Sequence, residues 1–347
     1  MILINFNANS IKDILNSKEY DFLKTNENLQ ENIILIGLGG SLAYGTNNED
    51  SDIDIRGIAT NTKRNILIGN DFEQVVDDKT DTTIYSFDKI VKLLCSCNPN
   101  TIEILGLKPE HYLYLNDIGR ILINNKEIFL SKKAIYSFGG YANSQLRRLE
   151  NKAARLVNQT QREEGILKSI EYASVDFKNR FFTFPKDSIR LYVDTSPRED
   201  YESEIFCDIN LSRYPLRDYS GMFNAISEIV KSYSKIGKRN EKAIRRDKLG
   251  KHMMHLVRLY LMCFDIVEKG EINTYRDKEH DFLMDIRNGK YLDENRQPIK
   301  EFYEIVSEYE NKLECLKSST YLPEEVDMKK VMDLVQDINE KVVYSAI

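Results

Sequence analysis

The sequence is expected to fold as an α+β protein, with a small mixed β-sheet carrying helices on it and a mostly α-helical C-terminal domain after it. Three observations lead there. Short apolar or β-branched runs bounded by glycine and polar turns fall between residues 33 and 86. Helical periodicity dominates 218–270 and 299–345. The length, 347 residues at 41% hydrophobic and 30% charged, suits two globular domains.

Taken in order, residues 1–30 read as one or two amphipathic helices, with Ser10 a cap for Ile11 to Leu15. Ile33-Ile34-Leu35-Ile36 is a buried strand, and Gly37, Gly39 and Gly40 end it with a turn that few other residues make. Ser41 then opens a short helical turn. Backbone amides at such a junction carry partial positive charge, so it suits an anionic group. Asp52 and Asp54 flank Ile53, and a two-residue period puts both carboxylates on one face with Ile53 and Ile55 toward the core. Thr82-Thr83-Ile84-Tyr85 has the composition of another strand.

Ser86 is expected to cap a helix from Phe87 to Cys97, with Asp88 near its positive end, and Asn98-Pro99 stops it. Another helix begins near Asn100. Helices then cover Ile118 to Phe129 and Lys132 to Glu163 or beyond, the latter presenting Tyr141, Gln145, Arg148, Lys152 and Arg155 as a polar, basic face. Residues 181–215 read as an irregular insertion or short strands, and repeats are absent from the sequence.

Composition narrows the setting. No apolar stretch reaches bilayer length and MILINFNANSIKDIL has no basic leader before an apolar segment, so a cytoplasmic protein without membrane contact is expected. Five cysteines lack repeated metal spacing and are read as reduced thiols; Cys95 and Cys97, two apart on a helix, do not face each other. His111 and His280 belong to no constellation. The net charge of −6 disfavours nucleic acid until its distribution is considered. Nine basic residues lie between Lys231 and Lys251 against Glu241 and Asp247, a focused site for a polyanion. Lys248, Lys251, His255 and Arg258 then recur at helical spacing as one stripe, beside an apolar face that includes Leu249, Met253 and Leu256. His252 and His255 have no third ligand at useful spacing and are not read as a zinc site.

Asp52 and Asp54 together form a hard oxygen site, the kind Mg²⁺ shares with waters and substrate phosphates. With Gly40-Ser41 before them, they resemble the signature of the DNA polymerase β-like nucleotidyltransferase superfamily. A more specific resemblance is to the RNA repair pathway polymerase-β family. It rests on Gly40-Ser41-Leu42-Ala43-Tyr44-Gly45, on Ser51-Asp52-Ile53-Asp54-Ile55-Arg56-Gly57, and on Asn98-Pro99-Asn100-Thr101-Ile102-Glu103. Weaker landmarks are Met254 to Leu259 and Ile286-Arg287-Asn288-Gly289.

The resemblance implies a nucleotidyltransferase core over 1–130 and a mainly helical substrate-binding domain over 131–347. It implies catalytic and metal-binding roles for Asp52, Asp54 and a third carboxylate. Asp81, which opens the Thr82 to Tyr85 strand, is the expected third carboxylate, with Asp77 and Asp78 the alternatives. Two Mg²⁺ ions are expected, with Mn²⁺ able to substitute. Gly40, Ser41, Tyr44, Arg56, Lys248, Lys251, His255 and Arg258 are the expected nucleotide contacts, with core packing the competing role for Tyr44 and a salt bridge that for Arg56. The expected reaction moves NMP from an NTP, ATP first, to a hydroxyl on an RNA end. Adenylylation of a protein or small molecule is the alternative, and an inactive nucleotide-binding module a third reading. Oligomeric state is not legible in the sequence.

Overall fold

The computed structural model describes residues 8–49, 51–153, 163–164, 166–168, 189–197, 203–234, 249–294 and 297–345. Five strands form the expected mixed sheet: β1 (Ile33–Leu38), β2 (Ile55–Ala59), β3 (Gln74–Asp77), β4 (Thr82–Ser86) and β5 (Tyr112–Leu115), in the order β3-β4-β2-β1-β5. All six residues of β1 are buried, as its unbroken apolar run requires of a strand covered on both faces. β2 and β4 run parallel, while the other neighbours are antiparallel.

Register fixes what meets at the end of the sheet. Leu38 pairs with Ile55, and Ile55 with Thr82, so β1, β2 and β4 are level there. The residues one step earlier in the two parallel strands are Asp54 and Asp81. Both therefore arrive side by side at the rim, beyond the last ladder pair.

Local chemistry sets the helices that follow. Ser86 caps the Phe87–Cys95 helix by accepting from Lys89 N at 3.1 Å, and the helix ends two residues earlier than its periodicity suggests because Cys97 is left-handed (φ 49°). Asn98 caps the short Pro99–Ile102 helix by accepting from Asn100 N at 3.0 Å. The expected helix from Ile118 to Phe129 is Asp117–Asn124 followed by a 3-10 turn, Lys126–Phe129. At the N-terminal end the helix runs over Ala8–Ile14, so Ser10 lies inside it and does not cap it.

The C-terminal region is helical, with Leu216–Ser234, Leu249–Phe264 continuing into a π turn at Asp265–Lys269, His280–Arg287, Lys300–Ser319 and Met328–Ser345. The chain is thus α+β. Within 181–215, β6 (Ile189–Thr195) and β7 (Ser203–Ile209) form an antiparallel pair. In the Lys133–Ala153 helix Gln145 is buried, which removes it from the polar face expected there; Arg155 lies outside the described residues.

The chain packs as two compact units, 1–142 with 257–284 and 305–347, and 143–256 with 285–304. The division is discontinuous, in contrast to a single cut after residue 130, because the last helices return to the unit that holds the sheet. In that unit Ile34, Leu35, Ile55, Ile58, Ile84 and Phe87 form the sheet's core. The second unit contains the β6–β7 pair and the Leu216–Ser234 helix. All five cysteines are free thiols, with Cys97 and Cys263 buried. Among the described residues no helix is long and apolar enough to cross a membrane.

Candidate active site

The glycine turn after β1 and the aspartates before β2 interlock. Gly39 N donates to Asp54 O at 2.8 Å, carrying the β1–β2 contact one step past the strands. Gly40 is left-handed (φ 55°), and a Cβ built on it would lie 1.7 Å from Asp54 Oδ2. The Asp54 carboxylate therefore occupies the space a side chain at position 40 would fill. Gly40–Tyr44 then forms one helical turn, with Ser41 buried.

Asp52 and Asp54 were expected within a strand. They lie just ahead of it, since β1 ends at Leu38 and leaves Asp52 and Ile53 without a ladder partner. Asp52 is exposed, while the Asp54 side chain is 21% exposed.

Arg56 lies between the carboxylates. Its Nη1 donates to Ile55 O at 2.8 Å and to Asp81 O at 2.6 Å; its Nη2 donates to Asp81 Oδ1 at 3.1 Å and lies 3.7 Å from Asp54 Oδ1. Asp81 is itself left-handed (φ 45°), and its carbonyl also accepts from Ile55 N at 3.1 Å. Asp81, expected as the third metal carboxylate, is thus bound to a guanidinium. The alternative at Asp77 is committed elsewhere: its Oδ1 accepts from Lys79 N and from Thr80 N and Oγ1, and the Thr80 hydrogen bonds hold its carboxyl below the usual range. Among the described residues no three His, Cys, Asp or Glu gather in a metal-binding arrangement. Asp52 and Asp54 remain as two hard donors at the rim of the sheet. That set fits Mg²⁺, which commonly takes one or two carboxylates and completes its shell from water and phosphate.

Behind the turn is a buried cluster that sequence reasoning only half anticipated. Tyr44 donates its hydroxyl to both oxygens of Glu103, at 2.9 and 3.0 Å. Arg258, 1% exposed, places its guanidinium 3.5 Å from the Tyr44 ring centroid and Nη1 3.4 Å from Glu103 Oε2. Burial pushes the Glu103 carboxyl above its ordinary value against the opposing pull of Arg258 and Tyr44, and burial likewise pushes the Tyr44 phenol up. Tyr44 and Arg258, both expected to contact nucleotide, are engaged in the core with each other and with Glu103. Glu103 closes the Asn98 to Glu103 motif, and its signal in the sequence is one acid among Ile102, Ile104 and Leu105.

The expected basic stripe is accordingly divided. Lys251 is exposed, His255 is half-buried and Arg258 points inward to the Glu103 carboxylate, while Lys248 lies outside the described residues. Helical spacing identified one side of a helix, but not which of its positions would be covered.

A later segment straps the turn. Thr274 Oγ1 donates to Glu103 O at 2.6 Å, and Arg276 N to Tyr44 O at 3.1 Å. Tyr275 covers Gly45, where a Cβ would meet the ring at 2.4 Å. The strap is held by the buried Arg276–Asp265 pair at 2.5 Å. His111 packs on the Tyr275 ring, and burial lowers its pKa.

Everything from the glycine turn to Glu103 falls within one stretch that matches a known family. Residues 15–173 match the RNA repair pathway DNA polymerase beta family. The match takes in Gly40, Ser41, Asp52, Asp54, Arg56, Asp81 and Glu103, and it ends before Lys251 and Arg258. Over most of its length the chain is similar to an uncharacterized 38.9 kDa protein of the nrdC-mobD intergenic region of Enterobacteria phage T4. The two are 24% identical over 332 aligned residues, covering 86% of this chain and 94% of that protein. No solved structure matches the chain.

Proposed function

We propose that the protein is a Mg²⁺-dependent nucleotidyltransferase that moves NMP from an NTP, ATP first, to a hydroxyl at an RNA end. One observation carries the reading: the Asp54 carboxylate is seated over Gly40 at the mouth of a Gly-Ser turn, with Asp52 two residues away, inside the segment that matches the polymerase beta family. Asp52 and Asp54 would hold the metal, which when bound supplies charge neutralisation at the phosphates and a lowered pKa for the attacking hydroxyl.

The chain's own residues do the rest. Gly39 and Gly40 fix Asp54 by a main-chain hydrogen bond and by leaving its carboxylate room. Arg56, 26% exposed, presents a planar cation beside Asp54 and suits a phosphate oxygen. The nucleophile belongs to the acceptor, so no side chain need be covalently modified. The family description favours RNA as acceptor, and exposed Lys251 followed through the chain from a lysine- and arginine-rich run is consistent with a polyanion. The test presents the protein and Mg²⁺ with each labelled NTP and separate RNA, protein and small-molecule acceptors. Label on RNA that disappears in Asp52→Asn and Asp54→Asn supports the reading; label on a protein or small molecule replaces it with the adenylyltransferase alternative.

A further inference from the structure

We infer that Asp81 is a positioning residue for Arg56, holding its guanidinium beside Asp54 to receive the triphosphate of an incoming nucleotide, and is not a third metal ligand. The inference rests on the nucleotidyl-transfer reading and assigns different work to two of its residues.

Arg56 grips Asp81 at two points, the main-chain oxygen at 2.6 Å and the carboxylate at 3.1 Å. Two contacts to one residue fix the plane of the guanidinium as well as its position. The left-handed backbone at Asp81 makes this possible, since it turns the same carbonyl toward both Ile55 N and Arg56 Nη1. A non-glycine residue in that conformation is held there by its surroundings, and Ile55 at the start of β2 and Arg56 both hold Asp81. The carboxylate oxygen that faces Arg56 is thereby engaged by a cation already in place.

Asp54 differs. It meets the guanidinium only at 3.7 Å, and its other oxygen lies over Gly40. Of the five N–H donors of a guanidinium, three hydrogen bonds are accounted for by Ile55 O, Asp81 O and Asp81 Oδ1. The remaining donors are left for an anion that meets the guanidinium beside Asp54. A carboxylate acting through Arg56 thus serves the nucleotide's phosphates, while Asp52 and Asp54 serve the metal.

The test separates metal from nucleotide. Mn²⁺ alone is titrated by its paramagnetic signal, and ATP binding is measured in EDTA by equilibrium dialysis, for the wild-type chain and the variants Asp54→Asn, Arg56→Gln, Asp81→Gly and Asp81→Asn. Glycine tolerates the left-handed turn while deleting the carboxylate; asparagine tolerates it while keeping an oxygen for Arg56 without the charge a metal needs. The expected result is Mn²⁺ affinity within about twofold of wild type for both Asp81 variants and at least ~10-fold weaker for Asp54→Asn. Metal-free ATP binding should fall in Asp81→Gly to the level of Arg56→Gln, recover in Asp81→Asn, and fall no further in the Arg56→Gln/Asp81→Gly double variant. Loss of Mn²⁺ in Asp81→Asn equal to that in Asp54→Asn would make Asp81 a metal ligand and overturn the inference. Unchanged ATP binding in Asp81→Gly would overturn it too. Wild-type protein that binds neither probe would instead defeat the nucleotidyl-transfer reading itself.

Discussion

Gly40 and Asp54 share one place: a Cβ on the glycine would sit 1.7 Å from Asp54 Oδ2. The turn after β1 is therefore shaped around the carboxylate that follows it fourteen positions later, and each defines where the other lies.

Gly40→Ala tests that relationship. The left-handed backbone costs an alanine roughly 1–2 kcal/mol, and the methyl group must also displace Asp54. The melting temperature should fall by a few degrees, and Mn²⁺ affinity should fall as it does in Asp54→Asn. Retained Mn²⁺ affinity in a folded variant would mean that Asp54 needs no such seat.

Arg258→Met leaves the Glu103 carboxylate without its cation in the core and should cost roughly 3–5 kcal/mol at neutral pH. The sign with pH follows from Glu103, whose folded pKa burial already raises. Such a group contributes stability below its unfolded pKa and loses it as pH rises through the folded value. Removing Arg258 raises that value further, so the penalty should grow between about pH 5 and about pH 8. Urea unfolding at the two pH values checks this, and Glu103→Gln in the same chain should recover most of the loss. A penalty independent of pH would contradict the role given to Glu103.

Asp265 should behave with the opposite sign. Burial alone would raise its pKa, but the Lys269 hydrogen bond and the Arg276 charge outweigh burial and hold it below the usual carboxylate range. Its contribution is present above the unfolded carboxylate pKa and is lost as pH falls through the folded one. Asp265→Asn should therefore flatten the acid limb of the stability curve between about pH 5 and about pH 3 while lowering stability at neutral pH. An unchanged acid limb would show that the strap is held by other contacts.

Lys251 is the one exposed cation among the described members of the expected stripe. Lys251→Glu should weaken RNA binding, reduce the slope of log affinity against log salt by about one unit, and leave the melting temperature unchanged. An unaltered slope would remove Lys251 from the RNA path.

Much of this was legible in the sequence because short-range chemistry decides it. The apolar run at Ile33 to Ile36, the turn at Gly39 and Gly40 and the cap at Ser86 each act within a few residues, whereas Gly37, expected in that turn, stays in β1 and pairs with Arg56 and Tyr112. The spacing of Asp52 and Asp54 was legible too, although not that the ladder ends at Ile55 and leaves them on the rim. What pattern could not reveal was long-range pairing. Arg258 shares helical spacing with Lys251, but its position is decided by a buried acid 155 residues earlier in the chain. Asp81 is legible from its place before β4, whereas its partner is not, because only the parallel register of β2 and β4 brings it to Arg56.

The most direct measurement of the central claim is transfer of radiolabelled α-phosphate from ATP to an RNA end by the wild-type protein and by Asp54→Asn, with Mg²⁺ present and pyrophosphate followed in the same reaction. The account predicts labelled RNA and pyrophosphate in equal amounts from the wild type, and both reduced at least ~10³-fold in Asp54→Asn while the variant keeps its melting temperature. Equal incorporation by the two proteins would contradict it.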